Sequence, residues 1–313
     1  MQALLQITGG IAGLILLYYG AEFLIKGGVS IALKLKVPAL IIGLTLVAFG
    51  TSAPELVVSI DAALKGNGDI SIGNVVGSNI CNILLILGLS AAIMPLTVNK
   101  KLLKFDLPLL TVTSIVLTIF CLISRGITRW EGLIFFAGII FYTFYSIYDG
   151  KKNGSDPEDV ENNKIYPYFL SIVFVVSGLA ALIAGAKLFV NSAIFIARAC
   201  DISDAVIGLT VVALGTSLPE LATSVVAAIK GEQDIAIGNV IGSCIFNILC
   251  ILGIAPLITP IHAPEIDLID LGTMLFSTVI LFPIMYTNWK ISRREGVFLL
   301  LIYCAYTTYL FFK

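Results

Sequence analysis

The sequence predicts an all-α polytopic membrane protein of ten transmembrane helices arranged as two inverted five-helix repeats. Three observations carry this reading. Of 313 residues, 58% are hydrophobic and only 12% charged, with a mean hydropathy of +1.02; a soluble chain carries roughly twice that charged fraction. The apolar residues fall into ten runs, each close to the roughly 20 residues that cross a bilayer. The second five runs also repeat motifs of the first at a constant offset. A net charge of −1 offers no electrostatic footprint for nucleic acid, so the expected surroundings are a lipid bilayer.

The first runs lie at about 4–25, 38–64, 70–98, 106–124 and 129–148. The opening MQALLQITGG lacks the basic segment and cleavage site of a signal peptide, so the first run reads as a retained helix. A polar stretch, DGKKNGSDPEDVENNK, follows at 149–164, and further runs lie at about 166–197, 203–229, 235–260, 267–287 and 294–312. The chain therefore divides into a first repeat, 1–148, a cytoplasmic linker, 149–165, and a second repeat, 166–313. The linker acids Asp156, Glu158, Asp159 and Glu161 read as solvated. Asn153-Gly154-Ser155 reads as a chance match to a glycosylation acceptor.

Charge orients the chain. With the N-terminus outside, the inner loops hold 13 Lys and Arg residues and the outer loops 5, with Lys187 inside a run. Positive residues favour the cytoplasmic side, so both termini are expected to be extracytoplasmic. The six cysteines, Cys81, Cys121, Cys200, Cys244, Cys250 and Cys304, lie in or beside apolar runs without CxxC or metal spacing. They read as small apolar residues.

GLTLVAFGTSAPEL at 43–56 returns as GLTVVALGTSLPEL at 208–221, with 11 of 14 positions identical. DISIGNVVGSNICNILLILGLS at 69–90 returns as DIAIGNVIGSCIFNILCILGIA at 234–255, with 15 of 22 identical, and the offset is 165 in both cases. Five spans is an odd number, so the second copy enters the membrane from the opposite side. This is the inverted-repeat architecture of many secondary transporters.

The repeats carry the chemistry. In Gly50-Thr51-Ser52-Ala53-Pro54-Glu55 and Gly215-Thr216-Ser217-Leu218-Pro219-Glu220, the proline withholds an N–H and obstructs the preceding turn. Each helix is expected to break there, freeing the carbonyls of Val47, Ala48, Val212 and Ala213. Such backbone is tolerated at membrane depth only where it is buried or lines a cavity. A glutamate follows each proline, and an ionisable group in a span is costly and marks function. The sequence places no Lys, Arg or His at comparable depth in the neighbouring spans. The third spans add Ser78 and Asn82, and Ser243 and Asn247, each pair four apart and so on one helix face. Glycines 73 and 77 serve equally for close helix approach. Carboxylates, amides and the hydroxyls of Thr51, Ser52, Ser78, Thr216, Ser217 and Ser243 make an all-oxygen cage with a formal charge of −2. Hard cations prefer such a cage, whereas transition metals would ask for His or Cys. His262, the only histidine, falls in a predicted outer loop.

At these motifs the chain resembles the calcium/cation antiporter superfamily, specifically the prokaryotic sodium/calcium exchangers, whose alpha repeats are the paired GTSxPE and GNxxGS blocks. The resemblance covers essentially the whole chain. It implies alternating access, electrogenic exchange of three sodium ions for one calcium ion, and no cofactor. It maps calcium to Glu55 and Glu220 with the Thr51 and Thr216 carbonyls. It maps sodium to Ala48, Thr51, Ser52, Ser78 and Glu220 on one side and to Ala213, Thr216, Ser217, Ser243 and Glu55 on the other, with Asn82 and Asn247 lining the middle. Some family members carry aspartate where Asn247 stands, and the amide argues against potassium co-transport. The short linker implies no large calcium-sensing domain, fitting a prokaryotic inner membrane, and no obligate protein partner is evident. Glu22 and Lys187, equivalent at the same offset, sit on spans that could slide as gates, or simply snorkel to water. A calcium/proton exchanger, a passive cation channel and an intramembrane enzyme remain the competing readings.

Overall fold

The computed structural model describes residues 2–153, 165–199, 213–264 and 266–312. Helix α1 (Gln2–Leu35) leads into α2 (Ala39–Thr51) and α3 (Ala53–Leu64), which share one apolar run but meet at a 46° bend. Helices α4 (Gly68–Ile93), α5 (Leu102–Ser124) and α6 (Arg129–Asn153) follow. The second half holds α7 (Tyr168–Ala199), the short α8 (Ala213–Gly215), α9 (Leu218–Ile229), α10 (Gln233–Ile258), α11 (Leu268–Tyr286) and α12 (Arg293–Phe312). Among the described residues, seven helices are long and apolar enough to cross a membrane, and the α2–α3 pair qualifies as one bent span. The expected run at 203–229 enters the described residues only at Ala213. Val212, Cys200 and the linker acids Asp156, Glu158, Asp159 and Glu161 lie outside them.

Several helices outrun their expected ends. Helix α1 continues past residue 25 to Leu35, and along it Lys26 pairs with Glu22 one turn back (2.8 Å), while Glu22 also holds Lys230 (2.9 Å). Its repeat mate Lys187 is exposed. Helix α6 runs into the expected linker, where Asp149 pairs with Lys101 (2.7 Å). The five described cysteines are free, and four of them are buried.

Two short strand pairs tie the connections of this all-helical fold. Strands β1 (Leu96–Thr97) and β4 (Lys290–Ile291) pair antiparallel, as do β2 (Gly126–Ile127) and β3 (Ile261–His262). Two-residue ladders leave no periodicity in a sequence. They satisfy backbone N–H and C=O groups where helix connections meet.

Glycines let α1 and α7 meet backbone to backbone. A Cβ added at Gly20 would lie 2.9 Å from the Gly178 carbonyl, and one at Gly13 would lie 2.8 Å from that of Gly185. Rising numbers on α1 meet falling numbers on α7, so the two run antiparallel. The pairs 13/185 and 20/178 also exchange under the repeat offset, as the two strand pairs do approximately. Helices α4 and α10 form the centre. Residues Ile235 to Phe246 of α10 are all buried, and a helix apolar all round belongs in an interior. Helices α1, α6 and α7 instead turn large apolar side chains such as Ile11, Phe144 and Ile172 outward.

Candidate cation site

The bend between α2 and α3 falls at Ser52, whose backbone (φ −84°, ψ 6°) has left the helical range; Ser217 repeats it (φ −86°, ψ 5°) before α9. Pro54 and Pro219 sit in the first turn of the new helix, where a missing N–H is harmless. The consequence differs from expectation at Ala48. Its carbonyl is not freed: it accepts from the Ser52 N–H at 3.0 Å and the Thr51 hydroxyl at 3.3 Å. A proline removes the bond to the residue four before it, which is Gly50, so the break lies later than Val47 and Ala48. Ala213 opens α8, and its surroundings lie outside the described set.

Glu55 and Glu220 occupy the first turns of α3 and α9. There the helix dipole and free N–H groups favour negative charge. They are 1% and 0% exposed, and among the described residues no Lys, Arg or His forms an ion pair with either. A buried base as their purpose is thereby set aside. The serines cross over between repeats: Ser52 donates to Glu220 Oε1 at 2.7 Å, and Ser217 donates to Glu55 Oε1 at 3.3 Å. Thr216 and Ser243 lie beside Glu55 and Glu220 respectively. Ser78, Asn82 and Asn247 are buried on α4 and α10. Asn82 lies in the wide π-helical turn Cys81–Leu87, and Asn247 opens another, Asn247–Ile251. Such turns recur at functional sites.

Six oxygens of the predicted residues are buried without a hydrogen-bond partner among the described residues. They are Glu55 Oε2, Glu220 Oε2, Asn82 Oδ1, Asn247 Oδ1, Thr216 Oγ1 and Ser243 Oγ. A buried unsatisfied polar atom costs about 1–3 kcal/mol, and more where charge is involved. Oxygens that recover this cost by coordinating a cation form a site for a hard ion, and two carboxylates supply the matching charge.

Some residues of the site escaped the sequence reading. Asn74 Nδ2 donates to the Glu55 carbonyl (3.2 Å) and Ser59 (2.9 Å). Asn239 Nδ2 repeats this on the Glu220 carbonyl (3.4 Å) and Ser224 (2.9 Å). These amides brace the two glutamate turns, and Asn239 Oδ1 also accepts from Thr51 (3.1 Å). Asn79 accepts from Asn247 Nδ2 (3.1 Å) and donates to the carbonyl of Cys244 (3.3 Å), its own repeat mate. Equivalent positions that touch mark the pseudo-two-fold axis. The repeat itself was the signal for Asn74, Asn239, Ser59 and Ser224, each pair separated by 165. Asn79 had none, because the repeats differ there.

The profile of the sodium/calcium exchanger protein family matches residues 5–148 and 170–312. The sodium/calcium exchanger MaX1 of Methanosarcina acetivorans is 36% identical over 96% of this chain and 97% of its own length. The inner membrane protein YrbG of Escherichia coli is 38% identical over 91% and 89%. A solved structure of the sodium–calcium exchanger NCX_Mj, soaked with zero Na+ and Ca2+, superposes with a TM-score of 0.85 at 36% identity, covering 98% of this chain and 99% of that one. The described helices and these matches make the chain a multi-pass integral membrane protein. It belongs to the sodium/calcium exchanger family, a family of transporters rather than of enzymes.

Proposed function

We propose that this protein exchanges sodium for calcium across the membrane by alternating access, three sodium ions for one calcium ion. The observation that carries the reading is the set of buried oxygens without a hydrogen-bond partner among the described residues, around two carboxylates with which no described Lys, Arg or His pairs. Calcium takes six to eight oxygens. Glu55 and Glu220 would hold it from opposite sides with the Thr51 and Thr216 carbonyls. Sodium would use Ala48, Thr51, Ser52, Ser78 and Glu220, and, in the other repeat, Ala213, Thr216, Ser217, Ser243 and Glu55. Asn82 and Asn247 would turn amide oxygens to the middle. The exchange names borne by MaX1 and NCX_Mj support the choice of ions.

The same proposal includes the membrane arrangement: ten spans in two inverted repeats, 1–148 and 166–313, joined by a cytoplasmic linker at 149–165, with both termini outside. The antiparallel packing of α1 on α7 and the exchange of equivalent contacts support inversion. The name of YrbG supports an inner-membrane location. Calcium uptake into proteoliposomes tests the function. Uptake should require an outward sodium gradient; uptake without any counter-ion would indicate a channel, and uptake that follows pH a proton exchanger.

A further inference from the structure

At the pseudo-two-fold axis the repeats touch through Asn79 of α4 and Cys244 of α10, equivalent positions at the offset of 165. Their contact is reciprocal. Asn79 Nδ2 donates to the Cys244 carbonyl at 3.3 Å, and the Cys244 thiol donates to the Asn79 carbonyl at 3.9 Å. Both residues are buried. They differ in what is left over. A thiol offers one weak donor and a weakly accepting sulfur, whereas an amide carries a full acceptor on its second arm. That spare acceptor, Asn79 Oδ1, receives Asn247 Nδ2 at 3.1 Å. Asn82, the repeat mate of Asn247, has the Cys244 thiol in the corresponding place.

The far end of this chain fixes its direction. A backbone carbonyl can only accept, so Asn79 must aim its NH2 at Cys244 and its oxygen at Asn247. Asn247 must answer with its own NH2, because its oxygen in that place would set acceptor against acceptor. The amide is planar, so fixing the nitrogen also fixes the oxygen on the other arm. That oxygen, Asn247 Oδ1, is one of the six buried cage atoms without a partner among the described residues. A half-turn of the amide would lose the bond to Asn79 and bring an NH2 into the cage, where its positive dipole end would repel a cation.

We infer that Asn79 is a positioning residue of the cation site, holding the Asn247 amide with its oxygen rather than its nitrogen toward the ion. It makes the two middle amides unequal: Asn247 is fixed by a full acceptor, and Asn82 is held only by a thiol. Asn79 acts through Asn247, since both arms of its own amide are engaged. The inference rests on the reading of the cage as a cation site.

The test titrates the full-length protein in detergent with calcium and follows its thermal unfolding temperature to a half-effect concentration. Asn79→Cys copies the second repeat: it keeps a donor for the Cys244 carbonyl and removes the acceptor for Asn247. The half-effect concentration should rise about two- to tenfold, the worth of one neutral hydrogen bond. Asn79→Ala removes the same acceptor and carries the same expectation. Asn247→Ala removes the ligand itself and should raise the concentration at least as far. The double variant Asn79→Cys/Asn247→Ala separates positioning from packing. With no amide left to orient, it should bind calcium within about twofold of Asn247→Ala alone, whereas a packing defect would add its own loss. An unchanged half-effect concentration in both Asn79 variants, or full additivity in the double variant, overturns the inference. Loss of folding in both Asn79 variants while Asn247→Ala folds marks Asn79 as structural and overturns it as well. Calcium uptake into sodium-loaded vesicles checks the exchange reading separately. Natural protein that binds calcium in detergent and moves none overturns exchange, while the binding titrations still decide the role of Asn79.

Discussion

Glu55→Gln and Glu220→Gln keep the shape of the cage and remove one of its two charges. Contacts to an ionised group contribute about 1.5–3 kcal/mol, so each variant should lose roughly ten- to a hundredfold in calcium affinity. Calcium uptake into sodium-loaded vesicles reads the loss, with size-exclusion profiles showing intact protein. Ser52 serves Glu220 while Ser217 serves Glu55, so neither half can substitute for the other and both single variants should fail. Asn247→Asp adds a third acid to the same dry space, where three carboxylates do not ionise together easily. Exchange by that variant should gain a pH dependence, falling as acid supplies a proton that occupies a carboxylate in place of a cation. Uptake measured from pH 8 down to pH 5.5 checks it; a profile parallel to that of the natural protein would place Asn247 outside the cage.

At the scale of elements, the α1–α7 contact depends on glycines whose missing side chains let backbone meet backbone. Gly20→Val would drive a Cβ to within 2.9 Å of both the Gly178 carbonyl and the Leu182 N–H. These are main-chain atoms that cannot swing aside. Overpacking of this kind costs about 1–3 kcal/mol, and the expected result is a lower thermal unfolding temperature in detergent. Gly178→Val, its partner in the same contact, should behave alike, and the double variant should show less than the sum of the two losses because they spoil one contact. Gly272→Ala on α11, where a Cβ meets nothing within 4 Å among the described residues, should unfold no earlier than the natural protein.

The charge balance of transport belongs to the whole molecule. On the proposed ratio, three sodium ions against one calcium ion would move one net positive charge per cycle, and a charge crossing the membrane field is worth about 2.3 kcal/mol per 100 mV. Sodium-driven calcium uptake should therefore accelerate when a potassium gradient with valinomycin sets a potential that favours that charge movement, and slow when the potential is reversed. Rates indifferent to the imposed potential would rule out the three-to-one ratio while leaving the cage intact.

Two kinds of information were legible in the chain before folding. Among the described residues, apolar runs located most helix ends to within a few residues, although α1 runs on from the expected residue 25 to Leu35 and α6 from 148 to Asn153. The repeat offset then named residues that the fold brings together, Ser52 with Glu220 and Ser217 with Glu55. Hydropathy and repetition are properties of a line, and a line can show them. Contacts between the halves are not. The crossing of Ser52 to Glu220 and the grip of Asn79 on Asn247 join groups by the docking of helices. Both link positions 168 residues apart. Sequence determined which atoms could surround a cation; only the packing of α2, α3, α4, α9 and α10 decided which of them are left without a partner. Hydrogen bonds act over about 3 Å, and nothing but the assembled backbone sets distances that short between residues so far apart in the chain.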